Sequence, residues 1–91
     1  MKHAYVVHSD KTNEPFDPLK LHESVVLSCL TVRSPEGEAH STAERVCRHV
    51  IDWLAPKSEV TCRDIRRVAG YHLATYHPEA AYMYRNKEIM I

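Results

Sequence analysis

Five prolines divide this 91-residue chain into short segments, because proline is tolerated in the first turn of a helix but breaks a helix interior. Pro18 follows Asp17, and this pair is typical of a helix start with the aspartate as N-cap. Pro56 and Pro78 each end the helical pattern that precedes them. The chain must therefore fold from several short elements and not from one long helix.

The N-terminal segment predicts a β-hairpin. Residues 3–9 are HAYVVHS and favour a strand, whereas residues 10–13 are DKTN and favour a turn. Residues 14–16, EPF, can return as a second strand, which Pro15 restricts to a short or edge position. Further along, residues 59–60 predict a short third strand.

Apolar residues then recur at helical spacing. Leu21, Val25 and Cys29 stand at i, i+4 and i+8 and predict a first helix that begins at Pro18 and ends near Leu30 or Thr31. The core positions expected on the three later helices are Ala43, Val46, Cys47, Val50, Ile51 and Leu54; Ile65, Val68, Ala69, His72 and Leu73; and Ala81, Tyr84 and Glu88, with Tyr82 beside them.

Capping patterns predict where the second and third helices start. Residues 32–40 contain proline, glycine and charges and predict a loop, after which Ser41 and Glu44 form a capping-box pattern. Thr61 and Asp64 predict the cap of the third helix. We expect a close contact at Gly70 within that helix, since glycine there costs about 1 kcal/mol relative to alanine.

The predicted element order is ββααβαα. It describes one α+β domain over residues 1–91, in which a short hairpin and a short third strand pack on four helices. The last helix opens at Pro78. A chain of this size has room for one small core and favours a binding module over an enzyme with a deep cleft.

Composition excludes several classes. Twelve Lys plus Arg balance twelve Asp plus Glu, which argues against a dedicated nucleic-acid-binding domain. No apolar run approaches the roughly 20 residues that a membrane helix needs. The three cysteines, Cys29, Cys47 and Cys62, form no CxxC pair, and we expect buried, reduced thiols in a cytoplasmic protein. The sequence contains no metal-ligand spacing, nucleophile arrangement or P-loop.

Three segments of the chain resemble the ATP-cone domain. Residues 6–21 are VVHSDKTNEPFDPLKL, and the positions that follow the family's opening pattern are Val6, Asp10, Glu14, Phe16, Asp17, Lys20 and Leu21. Residues 59–66, EVTCRDIR, and residues 76–85, YHPEAAYMYR, resemble two later segments of the family. The three segments stand in the family's order, so the resemblance covers approximately residues 4–86.

The resemblance implies a regulatory module that binds ATP or dATP, with Mg²⁺, and performs no catalysis. ATP-cones stand at the N-terminus of ribonucleotide reductase large subunits and in the repressor of reductase genes. A homo-oligomer or a ribonucleotide reductase-related protein is the implied partner, and if these residues are the whole protein, the cone stands alone. The site residues implied are Val6, Val7, His8, Glu14, Phe16, Asp17, Lys20, Leu21, Cys62, Ile65 and Arg66.

The chemistry of these residues suits a nucleotide. The side chains able to form an apolar slot for the base are Val6, Phe16, Leu21 and Ile65. Glu14 and Asp17 can accept hydrogen bonds from an exocyclic amine, and Lys20 follows Asp17 by about one turn, so both can face one site. Each has a structural alternative: core packing for the apolar residues, N-capping for Asp17 and a solvated surface position for Lys20.

The chain departs from the family where phosphate is bound. His8 and Ser9 replace the family's Lys-Arg pair, and Lys11 replaces its turn glycine. Histidine is charged only in part near neutral pH, so firm positive charge is lost. The cations that can compensate are Arg63, Arg66 and Arg67, of which the position of Arg66 can contact phosphate in the family.

Two other functions remain open. A degenerate ATP-cone that no longer binds nucleotide could serve as a protein-interaction domain, and the lost Lys-Arg pair favours this alternative. A nucleic-acid-binding accessory domain would use the arginines between Arg63 and Arg67, but the zero net charge makes it the weaker hypothesis.

Overall fold

The predicted order of elements is confirmed in a computed structural model that describes residues 4–86. The strands are β1 (Tyr5–Val7), β2 (Asn13–Pro15) and β3 (Glu59–Thr61), and the helices are α1 (Pro18–Thr31), α2 (Glu36–Leu54), α3 (Cys62–Tyr76) and α4 (Pro78–Asn86). The α+β class with a three-stranded sheet and four helices is therefore as expected.

β1 lies at the centre of the sheet. It pairs antiparallel with β2, where Val6 lies opposite Glu14, and parallel with β3, where Val6 lies opposite Val60. Val6 and Val60 are only 2% and 5% exposed, so this face of the sheet packs on the helices. Because Val7 pairs with Thr61, the end of β1 lies beside the first turn of α3.

The core lies between the sheet and the four helices. α1 packs on α2 and α4, and α3 packs on α2 and α4. Tyr84 of α4 is the largest fully buried side chain, and its hydroxyl accepts a hydrogen bond from Ser24 of α1 at 3.4 Å. Burial raises the pKa of the Tyr84 hydroxyl to about 12. None of the helices within residues 4–86 is long and apolar enough to cross a membrane.

The predicted start of α2 is wrong. The helix begins at Glu36, one turn and more before Ser41, which lies exposed in the helix interior without a capping role. Ala39 N–H donates to the Pro35 carbonyl at 2.9 Å, and the Ala39 and Ala43 side chains are fully buried. Packing of these alanines against the core stabilises the additional turn, which a local capping pattern does not register.

Other local predictions have mixed outcomes. Thr61 and Asp64 form the expected capping box of α3. The contact expected at Gly70 is confirmed, since a Cβ atom there would lie 2.9 Å from Nε of Arg85. Ile51 was expected in the core but is 44% exposed. The prediction for Glu88 lies outside the described residues.

Candidate functional site

The hairpin turn is held by short local hydrogen bonds. His8 N–H donates to the Thr12 carbonyl and Lys11 N–H donates to the His8 carbonyl, both at 2.9 Å. The Asp10 carboxylate accepts from the Thr12 hydroxyl at 2.6 Å and from its N–H at 3.0 Å, and these bonds hold the pKa of Asp10 below its usual value. Lys11 adopts φ = 70°, a left-handed conformation that favours glycine. The turn position at which the ATP-cone resemblance expects a glycine therefore has a positive φ in this chain.

Three predicted site residues meet beside this turn. The Glu14 Oε1 atom lies 3.1 Å from His8 Nε2 and 3.4 Å from Lys20 Nζ, so one carboxylate oxygen accepts from two donors. We call His8, Glu14 and Lys20 the hairpin–α1 cluster. The hydrogen bond from His8, followed by that from Lys20, lowers the pKa of Glu14.

The backbone explains why these three side chains converge. Glu14 of β2 lies opposite Val6 of β1, and His8 follows Val6 by two residues, so His8 and Glu14 project from the same face of the hairpin. α1 begins at Pro18 directly after β2, and Lys20 lies in its first turn. All three side chains remain partly solvent-accessible, at 24%, 40% and 45% for His8, Glu14 and Lys20.

The apolar residues predicted for the base slot are mostly core residues. Val6 is 2% exposed, and Leu21 and Ile65 are fully buried. Phe16 is only partly buried and packs against the edge of the core. Leu21 and Ile65 offer no exposed surface to a base in this structure, so the slot stays a prediction.

Asp17 is the N-cap of α1. Its carboxylate accepts a hydrogen bond from Leu19 N–H at 3.0 Å, which confirms the capping prediction. The side chain is exposed, so capping leaves one edge of the carboxylate open to solvent. Its predicted contact with the base remains a prediction.

The remaining predicted site residues lie at the end of β1 and in the first turns of α3. Cys62 is the first residue of α3 and is half-buried, and Val7 is half-buried beside it at the end of β1. Arg66 is also half-buried, and its positive charge acts on Tyr84, where it opposes the effect of burial on the pKa. Arg66 therefore lies close enough to Tyr84 of α4 for its charge to act on that hydroxyl.

The three arginines of α3 stand at i, i+3 and i+4 of the helix but differ in exposure. Arg63 and Arg67 are exposed, whereas Arg66 is half-buried. Arg67 is already 3.6 Å from the carboxylate of Asp64. That these arginines compensate for the lost Lys-Arg pair stays a prediction.

A groove between α1 and α2 was not expected from the sequence. Its volume is about 710 Å³, and it is lined by Asp17, Pro18, Leu19, His22, Glu44, Cys47, Arg48 and Ile51. Leu19 is 63% exposed and Ile51 is 44% exposed, so the groove presents apolar surface to solvent. Leu19 and Lys20 are adjacent in the first turn of α1, and the groove therefore lies next to the hairpin–α1 cluster.

Comparison of the sequence with known protein families finds no match, and comparison with curated proteins finds none either. The likeness to ATP-cones therefore rests on the three sequence segments and on the residues that they place together. The fold is assigned independently of that likeness, from the observed elements and their pairing.

Proposed function

We propose that this domain is a regulatory module that binds ATP or dATP, with Mg²⁺, at the hairpin–α1 cluster. The observation that carries the proposal is that the side chains of His8 and Lys20 both contact one carboxylate oxygen of Glu14. His8 directly follows β1, Glu14 lies in β2 and Lys20 lies in α1, and the ATP-cone resemblance assigns a nucleotide contact to each of them. The donors His8 and Lys20 can bind the phosphates of a nucleotide, and the Glu14 carboxylate can accept a hydrogen bond from the edge of the base.

The chemistry we propose is an exchange of partners. A phosphate oxygen replaces the Glu14 carboxylate as the acceptor for Lys20 and His8, because phosphate carries more negative charge than a carboxylate. Glu14 is then free to accept a hydrogen bond from the exocyclic amine of adenine. Binding of the phosphate to Lys20 and His8 and release of Glu14 from these two donors therefore occur in one step.

The first turn of α1 connects the proposed nucleotide site to the groove between α1 and α2, and this connection is the proposed basis of regulation. Lys20 faces the cluster, whereas Leu19 lines the groove between α1 and α2. Nucleotide binding that moves this turn also changes the groove and thus the association with a second copy or with a ribonucleotide reductase-related protein. A nucleotide shifts such an assembly only by its differential affinity for the two states. The three free thiols suit a reducing compartment, and we place the module in the cytoplasm.

Calorimetric titration with ATP and dATP in the presence of Mg²⁺ tests the proposal. Lys20→Ala should weaken binding about tenfold, equivalent to ~1.4 kcal/mol. Arg45→Ala is the matched control, because Arg45 is an exposed cation of α2 that lies over the Tyr76 ring, 5.7 Å from its centroid, and is not among the groove-lining residues. The proposal fails if millimolar nucleotide gives no binding heat, or if both variants bind like the unaltered protein.

A degenerate cone that acts as a protein-interaction domain is the second candidate. The specific observation in its favour is that Glu14 already pairs with both His8 and Lys20, while the exposed Leu19 and Ile51 leave an apolar groove open. Sedimentation at several concentrations separates the two functions. A concentration-dependent assembly that Ile51→Glu abolishes, and that nucleotide does not alter, supports the degenerate cone.

A further inference from the structure

Two histidines that are distant in sequence meet across α1 and α2. His22 Nε2 lies 3.2 Å from His40 Nδ1, and the ring centroids are 5.4 Å apart with an angle of 31° between the planes. The His40 side chain is 52% exposed, so the pair is accessible to ions and water. His22 also lines the groove between α1 and α2, but the nucleotide contacts proposed above do not use this pair.

The distance between the two nitrogens suits coordination of one metal ion. Zinc binds imidazole nitrogen at about 2.0–2.1 Å with tetrahedral geometry, so two such ligands lie roughly 3.3–3.4 Å apart. The observed 3.2 Å is close to this separation. Because these nitrogens share a hydrogen bond, metal binding requires that the shared proton leaves and that both rings turn to aim their lone pairs at one ion.

Acidic side chains flank the pair along α2. Glu36, His40 and Glu44 stand at i, i+4 and i+8, so they lie on one face of the helix. His40 Nε2, the nitrogen that does not face His22, is 4.0 Å from Glu36 Oε1. A carboxylate on the distal nitrogen is the usual partner of a metal-bound histidine, because it fixes the ring orientation and the tautomer.

We propose that His22 and His40 form a binding site for a divalent transition-metal ion of the zinc, nickel or copper(II) class. The ion links α1 to α2, and Glu36 orients His40. Within residues 4–86, no group of three or more His, Cys, Asp and Glu side chains is arranged to hold a metal, so water completes the coordination. The site is therefore weaker than a structural zinc site with four protein ligands.

A second histidine pair provides a matched control. His49 of α2 and His72 of α3 are stacked in parallel, with centroids 4.3 Å apart and an angle of 2°. His49 Nε2 is also 3.1 Å from the Tyr76 hydroxyl. Parallel rings present their faces to each other and not their lone pairs, so this pair lacks the geometry of a chelate.

Nickel is the probe for the test, because it binds imidazole nitrogen well and binds free thiols less readily than zinc does. Titration calorimetry and thermal unfolding are performed with NiCl₂, without nucleotide and with a non-thiol reductant. We expect saturable binding at one equivalent and a Tm that rises by several degrees at saturation. Mg²⁺, which prefers oxygen ligands, should give neither effect.

The variants decide where nickel binds. His22→Gln and His40→Gln should each lower the affinity about tenfold or more, Glu36→Gln should lower it less, and His49→Gln should leave it unchanged. The proposal is overturned if the unaltered protein shows no saturable binding, or if His22→Gln and His40→Gln retain the full affinity. These measurements contain no nucleotide, so their outcome is independent of nucleotide binding.

Discussion

The imidazole of His8 donates to the carboxylate of Glu14 at 3.1 Å, and this contact joins the end of β1 to β2. The same carboxylate oxygen lies 3.4 Å from Lys20 Nζ, so Glu14 also joins the hairpin to α1. Exposed ion pairs contribute little to stability, because water screens them and the long side chains lose entropy. The arrangement therefore matters mainly because it holds two donors in position.

The acid sensitivity of the fold should depend partly on Glu14. Its pKa is lowered in the folded protein by hydrogen bonds from His8 and Lys20, so ionised Glu14 stabilises the folded state. This contribution is complete above the pKa of the unfolded chain, about 4.3 for glutamate, and is lost as the pH falls through the folded value. In urea unfolding between pH 6 and pH 3, Glu14→Gln should show a shallower loss of stability. Equal slopes for the two proteins would contradict the pairing.

Replacing His8 by lysine should restore a firm positive charge to the cluster. We expect His8→Lys to bind ATP more tightly than the unaltered protein at pH 8, because the lysine ammonium carries a full positive charge there. Titration calorimetry of both proteins at pH 8 measures this. Equal affinities at pH 8 would mean that His8 does not contact phosphate.

Substitution by alanine should have different effects at Thr61 and Ser41, although both residues belong to capping-box patterns in the sequence. Thr61→Ala removes the hydroxyl that accepts from Asp64 N–H at 3.0 Å, and we expect a loss of about 1 kcal/mol in the free energy of unfolding. Ser41→Ala lies inside α2, where alanine is the better helix former, so it should be neutral or stabilising by about 0.5 kcal/mol. Urea denaturation checks both. A loss at Ser41 equal to that at Thr61 would place the start of α2 where the sequence pattern predicted it.

The hairpin turn should be stabilised by glycine at position 11. Lys11 has φ = 70°, and a side chain in this conformation costs roughly 1–2 kcal/mol. Part of the gain is offset by the greater freedom of glycine in the unfolded chain, so Lys11→Gly should stabilise by about 0.5–1 kcal/mol. Lys11→Ala removes the same charge but keeps the Cβ atom, and it should show no such gain in thermal unfolding. If both variants behave alike, the effect comes from the charge.

Gly70 and Arg85 should be coupled energetically. A Cβ atom at position 70 would approach Arg85 Nε to 2.9 Å and Arg85 Cγ to 3.1 Å, so the arginine side chain must move aside. Gly70→Ala improves the helix propensity by about 1 kcal/mol, and the full gain should appear only in the Arg85→Ala background. A double-mutant cycle by urea denaturation measures the coupling. Additive effects of the two substitutions would exclude the contact.

Features of the fold that depend on neighbouring residues were predictable from the sequence. Asp17 before Pro18 marks the start of α1, because both the cap and the fixed φ of proline act within one turn. The capping box of Thr61 and Asp64 starts α3 for the same reason. The order ββααβαα follows from such local signals and from apolar periodicity.

The candidate site was only partly predictable. Hairpin register and the first turn of α1 bring His8, Glu14 and Lys20 together, and the ATP-cone resemblance had named all three. The exposure of Ile51 and the groove beside Leu19 were not predicted, because they depend on how α1 crosses α2. A position at the edge of an apolar stripe is buried only if a neighbouring element covers it.

The sequence by itself determined the local elements of this protein, since capping, turn formation and helical periodicity act over a few residues. Tertiary structure alone decided the early start of α2, where burial of Ala39 and Ala43 outweighs the capping pattern at Ser41. It also brought His22 to within 3.2 Å of His40, which stands 18 positions later. Contacts of this kind are set by the packing of whole helices, and helix packing optimises the burial of apolar surface summed over many residues.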